Sequence, residues 1–126
     1  MIELSHLDHL VLTVRSIPDS LNFYQQLGMQ VETFAGGRYA LKFGQQKINL
    51  HQAGSEFEPK AGSVQPGSAD LCLVTATPLP QVISALQAAA IEIIEGPVER
   101  TGACGPINSV YFRDPDSNLI ELANYL

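Results

Sequence analysis

The chain has 126 residues, 45% apolar and 16% charged, which suits one packed domain and leaves little room for long disordered stretches. Thirteen acidic residues against seven basic ones give a net charge of -6, and no Lys/Arg cluster is present to neutralise phosphates, which excludes nucleic acid and anionic lipid as partners. There is no run of about 18 apolar residues, and MIELSHLDHL carries acid charge where a secretory leader is basic, so the expected location is the cytoplasm.

In chain order, HLDHLVLTV reads as a strand that ends at Ser16, an N-cap just before Pro18. The spacing of Leu21, Tyr24 and Leu27 predicts a helix over 18–27, with Gly28 as its left-handed stop. MQVETF, RYALKFG and KINLHQ follow as three closely spaced antiparallel strands. Residues 53–68, rich in Pro and Gly, have no periodicity and read as a linker. The order then repeats. DLCLVTA is a strand, PLPQVISALQAAA a helix with Val82, Ile83, Leu86 and Ala90 on one face, and IEIIE, SVYFRD and NLIELAN are strands, with EGPVERTGACGPIN as a long loop. Cys72 is expected in the core and Cys104 in an exposed Gly-rich stretch.

His9-Leu10-Val11-Leu12 aligns with Asp70-Leu71-Cys72-Leu73, and KINLH with NLIEL. The expected fold is therefore α+β: two tandem βαβββ modules, 4–52 and 69–124, forming a cupped mixed sheet with the helices on its outer face. Side chains alternate along a strand, so His9 shares a face with Val11 and Thr13, His51 with Asn49, Asp70 with Cys72, and Glu121 with Leu119 and Ala123. This parity places His9, His51, Asp70 and Glu121 at equivalent ends of the repeat, away from the helices.

Two neutral imidazoles and two carboxylates make a site for one divalent first-row ion, and the carboxylates balance its charge. Each residue alone also has an ordinary reading. A histidine on an apolar strand is usually a hydrogen-bonded core or surface residue, Glu121 in NLIELANYL could pair with a base, Asp70 could cap a turn, and His6 precedes the strand proper.

Together, HLVLTVRSIPDSLNFYQQLGMQV and GPVERTGACGPINSVYFRDPDSNLIELANY resemble the opening and closing of the vicinal oxygen chelate superfamily. That superfamily includes glyoxalase I, fosfomycin-resistance enzymes, bleomycin-resistance proteins and extradiol dioxygenases. KINLH, EFEPKA and EGPVERTGA are most similar to the glyoxalase domain-containing protein 5 type. The resemblance implies that His9 is the opening metal ligand and Glu121 the closing one. It also implies that His51 and Asp70 stand where nickel- or zinc-dependent glyoxalase I has Glu and His. Val11 replaces the reactive-site Thr of fosfomycin-resistance enzymes, and no Arg follows Glu121, so fosfomycin modification is not expected.

The expected function is a metal-dependent glyoxalase-like enzyme of lyase or isomerase type, chelating a small oxygenated substrate on Ni, Zn, Mn or Fe. Glu121, Asp70 and Tyr111 are the expected catalytic groups, and Ser109 and Arg38 the substrate contacts, with Lys42 beside Arg38. Two alternatives stand: a nonhaem iron dioxygenase using His9, His51 and Glu121, and a bleomycin-resistance-type binding protein without turnover. The expected assembly is a homodimer in which His9 and His51 of one chain meet Asp70 and Glu121 of the other; its rival is pairing of the modules within one chain.

Overall fold

β1 (His9–Val14) alternates more and less exposed residues, and its buried side, Leu12 and Val14, faces the first core. Ser16 ends the strand in extended conformation, and its hydroxyl accepts from the Asp19 N–H at 3.2 Å, which starts α1 (Ile17–Gln26) with a proline in its first turn. β2 (Gln30–Phe34), β3 (Arg38–Phe43) and β4 (Gln46–Gln52) follow. The sheet order is β1-β4-β3-β2, with β1 parallel to β4 and the other pairs antiparallel. The computed structural model describes all 126 residues and divides them into two units, Met1–Pro66 and Gly67–Leu126.

The second unit repeats the plan with β5 (Asp70–Val74), α2 (Leu79–Ala88), β6 (Glu95–Gly102), β7 (Gly105–Arg113) and β8 (Leu119–Tyr125), in sheet order β5-β8-β7-β6. Each helix buries one stripe, Ser20 and Tyr24 on α1 and Leu79, Val82 and Leu86 on α2. Matching carboxamides tie the two helix entrances to their sheets. Gln52 Oε1 accepts from the Ile17 N–H and its Nε2 donates to Arg15 O; Asn124 Oδ1 accepts from the Leu79 N–H and its Nδ2 donates to the Thr75 and Thr77 carbonyls.

The α+β class and both βαβββ modules match the sequence reading, with two exceptions in the second unit. IEIIE is not a strand. The Ile91 N–H returns to Leu86 O to close the helix, the Ile94 N–H makes the first bond to β7 at Tyr111 O, and the strand runs from Glu95 through EGPVERTG, which the reading placed in a loop. β6 tolerates Pro97 because it is an edge strand and the register shifts between Glu95 and Val98. Cys72 is the second exception: it is exposed on the face away from the core, as its place one pleat from Asp70 requires.

A turn before β8 fixes where the second unit begins. Buried Asp114 accepts through Oδ1 from the Asp116 and Asn118 N–H groups, both at 2.9 Å, and through Oδ2 from Asn118 Nδ2 at 2.8 Å. Asn118 Oδ1 in turn accepts from the Ala69 N–H at 2.9 Å, one residue before β5. Gly67 approaches so closely that a side chain there would meet Asp116 O at 2.5 Å.

Candidate functional site

In the first sheet His9 stands opposite Lys47, Val11 opposite Asn49 and Thr13 opposite His51. In the second, Asp70 stands opposite Leu119 and Cys72 opposite Glu121. His9 and Asp70 hold the same place in the two sheets, as the sequence repeat indicated. Glu121, however, corresponds to Asn49 and not to His51, which lies one pleat further along β4. His51 is thus displaced from His9 by four residues, about 13 Å along the strand, too far for both to ligate one ion. Nowhere in the chain do three His, Cys, Asp or Glu side chains gather closely enough to hold a metal.

The candidate pairs are therefore the diagonals His9/Asn49 in the first unit and Asp70/Glu121 in the second. Exposed His9 bonds through Nδ1 to the Asp8 carboxylate at 2.7 Å, and this bond holds the Asp8 carboxyl below its usual range. The Asp8 contact places the proton on Nδ1 and leaves the Nε2 lone pair free, the arrangement of a metal-ligating histidine with its orienting carboxylate. Asn49 is buried with no partner for Oδ1, and Glu121 Oε2 is equally enclosed and without a partner. Each of these buried acceptors has capacity for a further partner. The donor chemistry of each pair, an imidazole nitrogen with an amide oxygen in the first unit and two carboxylates in the second, is of the kind that a divalent ion accepts. Asn49 was missed because the alignment of KINLH with NLIEL is one residue out of step; the strand register makes KINLH equivalent to residues 119–123 and so sets Asn49 in the place of Glu121.

Around Glu121 the second sheet builds a more elaborate surface. Tyr111 is its cross-strand neighbour, and Arg100 Nε donates to the Tyr111 hydroxyl at 3.2 Å while Nη2 reaches Glu95 Oε1 at 3.1 Å. Burial and the Glu121 carboxylate raise the Tyr111 hydroxyl, while the Arg100 hydrogen bond works in the opposite direction. Burial and then the same carboxylate push the Cys72 thiol up to about 11. Arg100, Tyr111 and Glu121 line two adjoining clefts of about 380 and 450 Å³, and Asp70 lines the larger. Ser109, expected to touch substrate, is fully buried opposite Val98 and lines neither cleft.

His51 and Arg38 form a separate group in the first unit. His51 is 4% exposed, its Nε2 receives Arg38 Nη2 at 3.2 Å, and burial followed by the Arg38 charge lowers its pKa. Phe57 packs edge-on against it at 5.5 Å, so the start of the expected linker lies against the first unit.

The profile of the Glyoxalase/Bleomycin resistance protein/Dioxygenase superfamily matches residues 6–122. The chain belongs to this superfamily. It is 56% identical to Virulence protein STM3117 of Salmonella typhimurium over 98% of this chain and 86% of that one, and the crystal structure of STM3117 superposes with a TM-score of 0.98 over 99% of this chain and all of that one. Glyoxalase domain-containing protein RDO1 of Mycosarcoma maydis is likewise 56% identical, over 94% of this chain and 68% of its own length. Lactoylglutathione lyase of Agrobacterium tumefaciens, at 18% identity and a TM-score of 0.73 over 96% of this chain and 94% of that one, shares the fold. In the first module the place that Glu121 holds in the second is taken by Asn49, whereas the resemblance implied a ligand at His51. The dioxygenase alternative needs His9 and His51 on one ion, and the register sets them four residues apart along the paired strands. No helix is long and apolar enough to cross a membrane.

Proposed function

We propose that this chain is a metal-dependent enzyme of lyase or isomerase type acting on a small oxygenated substrate in the cytoplasm. A divalent ion, Ni, Zn, Mn or Fe, would be held by His9, Asp70 and Glu121, with the Asn49 carbonyl as fourth donor, and would supply Lewis-acid stabilisation of a developing oxyanion. The observation that carries the reading is the matched pair of diagonals, each ending in a buried side-chain oxygen without a partner.

The chain's own groups supply the rest. Asp70 and Glu121 are the available bases for taking a proton from carbon or water, and the raised Tyr111 hydroxyl, held by Arg100, is a proton donor beside them. The flanking clefts admit a small molecule. Because each unit holds only two of the four donors, we further propose a homodimer in which the first unit of one chain completes its site with the second unit of its partner.

Metal analysis of freshly purified protein tests the assignment. About one ion per chain is expected, lost in His9→Ala, Asp70→Asn and Glu121→Gln while circular dichroism is unchanged, and retained in His51→Ala. Stoichiometric metal in all of the first three variants would reject it.

A further inference from the structure

Arg38 is a cation without a counter-ion. Its guanidinium lies 5.1 Å from the ring centre of Phe34 and 4.5 Å from that of Phe57, and its only hydrogen bond goes to His51 Nε2. Glu56, close enough to act on His51, is already occupied by the Gly54 N–H and by Lys60. The other cations on this face differ: Lys42 and Lys47, opposite one another in the register, share a cleft with Asp8 and Glu32.

The protonation pattern identifies what is missing. Arginine is always a donor, so His51 Nε2 accepts and the proton of the neutral ring sits on Nδ1. Arg38 Nε and His51 Nδ1 are both buried without a partner. Both orphaned groups are thus N–H donors; His51 Nδ1–H points away from the Nε2 edge that Arg38 occupies, so it is Arg38 Nε–H, on a positive charge with no carboxylate within ion-pair distance, that an oxyanion would satisfy. Phe57 is 46% exposed and outside any regular element, so it is the side chain that would have to give way for such a group to enter.

We propose that Arg38 and His51, against the rings of Phe34 and Phe57, form a seat for the carboxylate or phosphate end of a small anionic ligand. This names the substrate class of the enzyme proposed above and rests on that reading only in taking the ligand to be its substrate; the seat itself needs no metal. It also gives His51 a function that its distance from His9 denies it as a metal ligand.

The test is a titration of metal-free protein, kept in chelator, with succinate, inorganic phosphate and neutral succinamide, followed through the Arg38 Nε–H and His51 ring signals in NMR spectra. Saturable shifts with a Kd of about 1–10 mM are expected for at least one anion and none for succinamide. Succinate alone would define the ligand as a carboxylate, and phosphate alone as a phosphate ester. Arg38→Lys, which keeps the charge and loses the planar fork, should weaken binding about tenfold, and Arg38→Gln should abolish it. The wild-type shifts locate the site even if a variant fails to fold. Absence of saturable shifts with both anions, equal shifts with succinamide, or binding that survives Arg38→Gln in folded protein would overturn the proposal. Loss of metal in the separate metal analysis would leave this result unaffected.

Discussion

Asn49 and Glu121 occupy the same place in the two sheets, each opposite the residue two beyond the start of its parallel edge strand, and each has a buried side-chain oxygen with no partner. A repeat that keeps the position while exchanging a carboxylate for a neutral amide retains an oxygen donor and removes one negative charge. The proposed donor set thereby carries two carboxylates, which balance a 2+ ion.

The orienting bond between Asp8 and His9 gives the first prediction. Asp8→Ala should leave His9 in place but free its ring to rotate and change tautomer, lowering metal affinity by about 10–100-fold. Competition with a chromogenic chelator measures this. Unchanged affinity would show that the Asp8 contact has no part in binding.

Cys72 reports on Glu121 without any turnover. With its pKa pushed up to about 11, the thiol should be alkylated slowly at pH 8 in metal-free Cys104→Ser protein despite its exposure. Glu121→Gln removes a negative neighbour, which favours the thiolate, so the rate should rise roughly three- to tenfold. A rate that does not change would separate the two side chains.

Mixing subunits tests the proposed assembly. If sites are shared across a homodimer, inactive His9→Ala and inactive Glu121→Ala chains together form heterodimers with one doubly defective and one intact site. Metal binding or activity should then partly return. If each chain builds its own site, nothing returns.

Asp114 is a stability prediction. Its carboxylate accepts from the Asp116 and Asn118 N–H groups and the Asn118 side chain, all buried. Asp114→Ala strands these donors and should cost about 3 kcal/mol, read as a lower urea midpoint at unchanged slope.

Much of this architecture is legible in sequence because periodicity and turn chemistry are local. Ser16 and Pro18 announce α1, and the alternation around His9 and Asp70 assigns their faces correctly. What fails is what depends on pairing. The relation of His51 to Glu121 required the register of β4 and β8, and a residue count along one strand does not contain it. Likewise Pro97 marks a loop in a linear reading, and only the sheet order shows it on an edge where its missing N–H is harmless. Arg38 was legible as a charge that could meet substrate, whereas its lack of an ion pair and its bond to His51 are properties of the packed unit alone.

The turn that binds Asn118 to Ala69 sets the start of β5 and the start of β8 with one side chain, and those two strands carry Asp70 and Glu121. Asn118 touches neither cleft, yet any slippage there moves both acids at once. In a saturation mutagenesis screen scored on function, Asn118 and Gly67 should therefore rank with the ligands themselves, and the map of intolerance would draw a false active site around a hinge pin.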